Sequence, residues 1–154
     1  MDDPFDLHRF VDAQHGVYDT VLHELRAGHK RTHWIWFVFP QLTALGHTST
    51  ARRYGISGVA EARAYLQHPV LGPRLRECAR AVHAIEGHTA QEVFGFPDYL
   101  KVRSCMTLFA HAATSGAASD DAADFDAVLD KFYADFPDGR EDPATVQLLA
   151  SDTG

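Results

Sequence analysis

The chain has little sulfur and no long apolar run. Its two cysteines, Cys78 and Cys105, stand in 154 residues without a CxxC pair. That excludes a disulfide framework and reads as reduced thiols in a cytoplasmic protein. The longest apolar run, Trp34 to Phe39, spans six residues, far short of the ~20 that a membrane-spanning helix needs. No membrane association is therefore expected. The first ten residues, MDDPFDLHRF, are acidic and lack the apolar region of a signal peptide,. Basic residues are the minority charge: 14 Lys and Arg against 21 Asp and Glu give a net charge of −7. Nonspecific binding to nucleic acid is thus disfavoured.

Common catalytic signatures are missing too. There is no GxGxxG, P-loop, GxSxG or HExxH, which removes the commonest nucleotide-binding, hydrolase and zinc-protease patterns. His29 and His33 have i, i+4 spacing but no third ligand nearby, so neither a metal nor another cofactor is expected. Neither cysteine has a local histidine partner to make it a nucleophile.

Helical periodicity is what the chain does have. With 45% apolar and 23% charged residues it reads as one globular domain over 1–154, with an ordered core of about 6–150. Leu7, Phe10, Val11, Val17, Tyr18, Val21, Leu22 and Leu25 fall on one stripe, predicting a single long helix capped by Asp6 and ended by Gly28. Gln14 lies on that stripe, so its amide should face the interior. Trp34 to Phe39 fits either a buried strand or a buried helical turn, and Pro40 ends it in both cases. A short helix is predicted near Thr50 to Tyr54, and another from a Ser57 cap to about Gln67. Pro69 and Pro73 suit the first turns of the next, with Leu75, Cys78, Ala79, Val82 and Ile85 inward. Thr89 and Glu92 have capping-box spacing for a short helix ending at Gly95. Pro97 opens a longer helix with Tyr99, Val102, Met106, Phe109 and Ala110 inward. Residues 114–124, TSGAASDDAAD, read as a mobile connector. A stripe from Phe125 to Phe136 follows a cap at Asp124, and Asp142-Pro143 starts a last helix ending near Ala150. There is no regular strand–helix alternation, so the expected fold is all-α, an irregular bundle of about six to eight helices.

Four segments together carry a family resemblance: DLHRFVDAQ (6–14), HWIWFVFPQL (33–42), AYLQHPVLGPRLREC (64–78) and KVRSCMTLFA (101–110). They resemble the bacterial DUF1810 family, also called Rv1873-like and sometimes given the label calpastatin. The resemblance covers roughly 6–150. It implies an irregular all-α bundle with no assigned molecular function. The calpastatin label does not fit, because that inhibitor is a disordered repeat protein. Cys105 departs from the family pattern, in which a second Ser usually follows Ser104.

The candidate site combines cations with large aromatics. Lys30, His33 and Trp34, with Arg31 and Trp36, could hold a planar anion through ring stacking and ammonium pairing. Gln14 and Gln41 would add amides. Lys101 and Ser104 lie three apart on one helix, where a Lys can activate a Ser. Arg103 and Asp98 would form an ion pair beside them. The expected site is therefore one cleft gathering Gln14, Lys30, His33, Trp34, Gln41, Lys101 and Ser104 around a small anionic, nucleotide-like ligand. If chemistry follows, His33 would serve as acid or base, in a hydrolytic or group-transfer step with Lys101 and Ser104. The competing reading is a protein-interaction module or homo-oligomer without a small-molecule site, with Trp34 as its exposed anchor.

Overall fold

A computed structural model describes residues 3–114 and 122–152. These form ten α-helices and no strand, as the periodicity requires. The helices are α1 (His8–Gln14), α2 (Tyr18–Ala27), α3 (Ile35–Val38), α4 (Ser49–Arg53), α5 (Val59–Gln67), α6 (Leu71–His83), α7 (Ala90–Phe94), α8 (Asp98–Thr114), α9 (Ala123–Phe132) and α10 (Pro143–Ser151). A 3-10 turn, Thr43–Leu45, precedes α4.

The count exceeds six to eight partly because the first stripe is two helices. Gly16 adopts φ +79°, a left-handed conformation that an α-helix cannot include, and the chain breaks between α1 and α2,. Asp6 does not cap α1. It has a positive φ of 51°, while the Asp3 carboxylate accepts from the Leu7 and His8 amides at 2.8 and 3.0 Å. Gly28 ends α2 as expected, in the left-handed region at φ 73°. Trp34 to Phe39 resolves as a one-turn helix, α3, rather than a strand.

Other caps follow the sequence unevenly. The Thr89–Glu92 capping box forms, with bonds of 3.1 and 2.7 Å, and Asp142 caps α10 through the Thr145 amide at 3.1 Å. Ser57 does not cap α5. Its own amide is taken by the Glu61 carboxylate at 2.8 Å, and Asp152 accepts from the Val59 amide at 2.7 Å. Asp124 falls inside the first turn of α9 and pairs with Arg80 at 3.1 Å. Of the connector expected at 114–124, residues 115–121 lie outside the described residues; Thr114 closes α8 and Ala123 opens α9.

α8 organises the molecule. From Val102 to Ala110 every residue is buried, so the helix is enclosed on all sides rather than amphipathic. α5, α7, α9 and α10 pack on it, with α3 touching it more lightly, and α6 packs on α5, α9 and α2. Of the expected core, Leu7, Phe10, Val21, Leu25, Val82, Phe109 and Val128 are buried. Val17, Trp36 and Phe132 are only partly so. At the α5–α6 junction a Cβ on Gly72 would run into the Leu66 carbonyl oxygen, so no side chain fits there. No helix among the described residues is long and apolar enough to cross a membrane.

Candidate functional site

The segment after α2 carries the cationic and aromatic residues, and its path is fixed from two sides. The Lys30 amide donates to the Val93 carbonyl of α7 at 2.8 Å. The Glu24 carboxylate, on α2, collects the Arg31 amide (2.8 Å), the Thr32 amide (3.1 Å), the Thr32 hydroxyl (2.8 Å) and the Trp34 indole N–H (2.9 Å). Burial pushes the Glu24 carboxyl up, but the hydrogen bonds from Arg31, Trp34 and Thr32 outweigh it and hold the group at about 2,.

Gln14 fixes α3 from below. Its Nε2 donates to the Phe37 carbonyl at 2.7 Å, and its Oε1 accepts from Arg74 at 3.2 Å. The amide is thus inward, as its stripe position predicts, and consumed by protein partners. Trp34 is buried at 2% exposure, so it is not the surface anchor of the interaction reading. Trp36, two residues on, is the half-exposed indole.

Two lysines converge beside these rings. Lys30 Nζ lies 2.9 Å from Asp98 Oδ2, and Lys101 Nζ lies 3.2 Å from Asp98 Oδ1. Lys30 also donates to the Thr32 carbonyl at 2.6 Å and sits 5.2 Å from the Trp34 ring centroid. Lys101 stands 3.6 Å above the Trp36 ring, a close cation–π contact,. Pro97 starts α8 at Asp98, and the i, i+3 spacing puts Lys101 on the same face.

Three of the seven predicted residues, Lys30, Trp34 and Lys101, are therefore brought together around Asp98. Ser104 is committed elsewhere: its hydroxyl donates to Asp142 Oδ2 at 3.1 Å and to the Leu100 carbonyl at 3.2 Å. Lys101 and Ser104 thus face different carboxylates and do not pair. His33 is exposed and Gln41 half-buried, and among the described residues neither side chain is bonded to the cluster. Arg103 pairs with Asp138 at 2.7 Å, not with Asp98, and its guanidinium also binds the Arg140, Gly139 and Glu141 carbonyls. Among the described residues, surface pockets of 230–490 Å³ have other linings, and none of these includes any of the seven predicted residues.

Asp98 was read in the sequence only as a partner of Arg103, and Glu24 was missed. Asp98–Lys101 spacing was a usable signal. So was Glu24, a carboxylate three residues after Val21 and thus on the apolar stripe. Both thiols are buried, and burial raises Cys78 to about 12, which leaves it inert as a nucleophile,.

Comparison with known proteins fits this arrangement of helices. Residues 4–149 match the family described as "Protein of unknown function (DUF1810)". The chain belongs to the DUF1810 family. A solved structure, the conserved hypothetical protein Rv1873 from Mycobacterium tuberculosis, is 55% identical and superposes with a TM-score of 0.87. The match covers 96% of this chain and 99% of that one. No curated protein matches this DUF1810 chain.

Proposed function

We propose that this DUF1810 protein binds a small anionic compound at the Lys30–Asp98–Lys101 cluster. The observation that carries the reading is that two lysines from separate segments meet on one carboxylate beside an indole. Two positive charges share one negative charge, and ammonium groups near aromatic rings are suited to carboxylates and phosphates. The fitting ligand class is a carboxylate- or phosphate-bearing compound, of which a nucleotide is one. No group transfer is included, because Ser104 is bonded to Asp142 rather than to Lys101.

Thermal unfolding with AMP, citrate and inorganic phosphate tests this. A bound anion raises Tm with concentration, by about 2.7 kcal/mol of stability at a hundred times Kd. Lys30→Ala and Lys101→Ala should remove the rise. If no anion raises Tm, or the variants respond like the parent, the reading fails.

A second reading, the interaction module, has Phe96 in its favour. This ring is 73% exposed, on the turn before α8 and 6.3 Å from the Tyr99 ring centroid. Sedimentation of the parent against Phe96→Ser tests it: a concentration-dependent oligomer that the substitution dissolves would support it, and a monomer in both would sink the homo-oligomer form.

A further inference from the structure

We propose that Asp98 occupies the ligand's own position, and that an oxyanion with two oxygens, a carboxylate or a phosphate, binds by taking its place between Lys30 and Lys101. This rests on the anion-binding reading above and states how that site is regulated. Asp98 addresses one lysine with each oxygen, Lys30 at 2.9 Å and Lys101 at 3.2 Å. A ligand carboxylate or phosphate would bridge the same two ammonium groups with the same two contacts.

Space decides between joining Asp98 and replacing it. The side chains of Lys30, Lys101 and Asp98 are only 6%, 16% and 19% exposed. Little surface is open to a second anion while Asp98 is in place. Lys30, so nearly enclosed, nevertheless needs an anionic neighbour at all times, since an unpaired ammonium there would be costly.

The partners differ in how firmly they are held. Lys30 is anchored by the Thr32 carbonyl at 2.6 Å and by its own amide on Val93 at 2.8 Å. Lys101 is seated on the Trp36 ring. The bonds of the Asp98 carboxylate run to these two lysines. It is also the first residue of α8, where the helix dipole keeps a carboxylate favourable after it rotates away. The cations therefore stay and the carboxylate is the group that moves.

The test uses the full chain, with Asp98→Ala and Asp98→Asn beside the parent. Inorganic phosphate and acetate are titrated separately against chloride at equal ionic strength, reading Tm and the apparent Kd by calorimetry. Removing the internal competitor should lower the apparent Kd about tenfold, because the competent state is no longer depleted. Asp98→Ala should melt lower than the parent in chloride and recover with the anion. Adding Lys101→Ala should cancel the gain. Response to acetate alone assigns a carboxylate ligand, and response to phosphate alone a phosphate. If the parent binds and neither Asp98 variant binds more tightly, exchange is overturned while the anion-binding reading stands. If only the variants bind, the natural chain does not give up Asp98 to these ions, and both readings fall. If none responds, both fall. Should Asp98→Ala fail to fold, Asp98→Asn, which keeps the shape without the charge, carries the comparison.

Discussion

Glu24 and Asp98 serve the same stretch of chain in opposite ways. Glu24 is buried and receives four hydrogen bonds from neutral donors, two of them backbone amides. Asp98 is partly exposed and bridges two lysine ammonium groups. A carboxylate matched by fixed dipoles is locked, because every donor it leaves behind would be stranded. On the proposal above, one matched by side-chain ammonium groups can be exchanged for another anion, because the cations accept any oxyanion of similar reach. The first shapes the segment from Lys30 to Trp36; the second is where the proposed anion would meet that segment.

Removing Glu24 should have the largest effect. Glu24→Ala strands the Trp34 indole N–H in the interior, and at about 1–3 kcal/mol for each buried donor left unmatched the loss should be about 2–4 kcal/mol by urea denaturation. Asp98→Ala should cost less in phosphate buffer than in chloride, whereas Glu24→Ala should be indifferent to the anion. Equal anion dependence in both would erase the contrast.

Acid sharpens the same contrast. Glu24 titrates at about 2 in the folded chain against 4.5 for a free glutamate side chain. A depressed carboxyl contributes stability that is fully present above the unfolded value and lost as pH falls through the folded one. Urea midpoints should thus drop between about pH 4.5 and pH 2, and Glu24→Gln should flatten that part of the profile. An unchanged profile in the variant would assign the acid loss to other carboxylates.

The two tryptophans should split in a milder way. Trp34→Phe leaves the Glu24 carboxylate one donor short and should cost about 1–3 kcal/mol. Trp36→Phe keeps a ring beneath Lys101 and should cost less, while weakening any anion-dependent rise in Tm. The smallest stability change belongs to Lys101→Ala, within about 1 kcal/mol, because Lys30 still pairs with Asp98 after the loss. A larger loss there would make the cluster a structural clamp rather than an exchangeable site.

Much of the fold was legible along the chain because helices announce themselves locally. The Thr89–Glu92 box, the Gly28 stop and the Asp142-Pro143 start all act within one turn, and each forms as its spacing dictates. The first stripe misled because its apolar spacing continues across Gly16, where the backbone alone decides the break. Burial of the paired indoles was not legible either. Trp34 and Trp36 stand two apart in a one-turn helix, and only the packing of α2 and α8 chooses which is covered.

The candidate site divides along the same line. Residue type already marked Lys30, Trp34 and Lys101 as the groups able to meet an anion. Sequence spacing could also place Lys101 one turn beyond Asp98. It could not say that α2 and α7 would deliver Lys30 to the same carboxylate, nor that Ser104 would turn to Asp142 thirty-eight residues away. What the sequence by itself determined is the set of helices and the chemistry available on them, since periodicity, caps and breaks act over a few residues. Which cation meets which anion was decided by tertiary structure, because those contacts depend on how segments distant along the chain pack around α8.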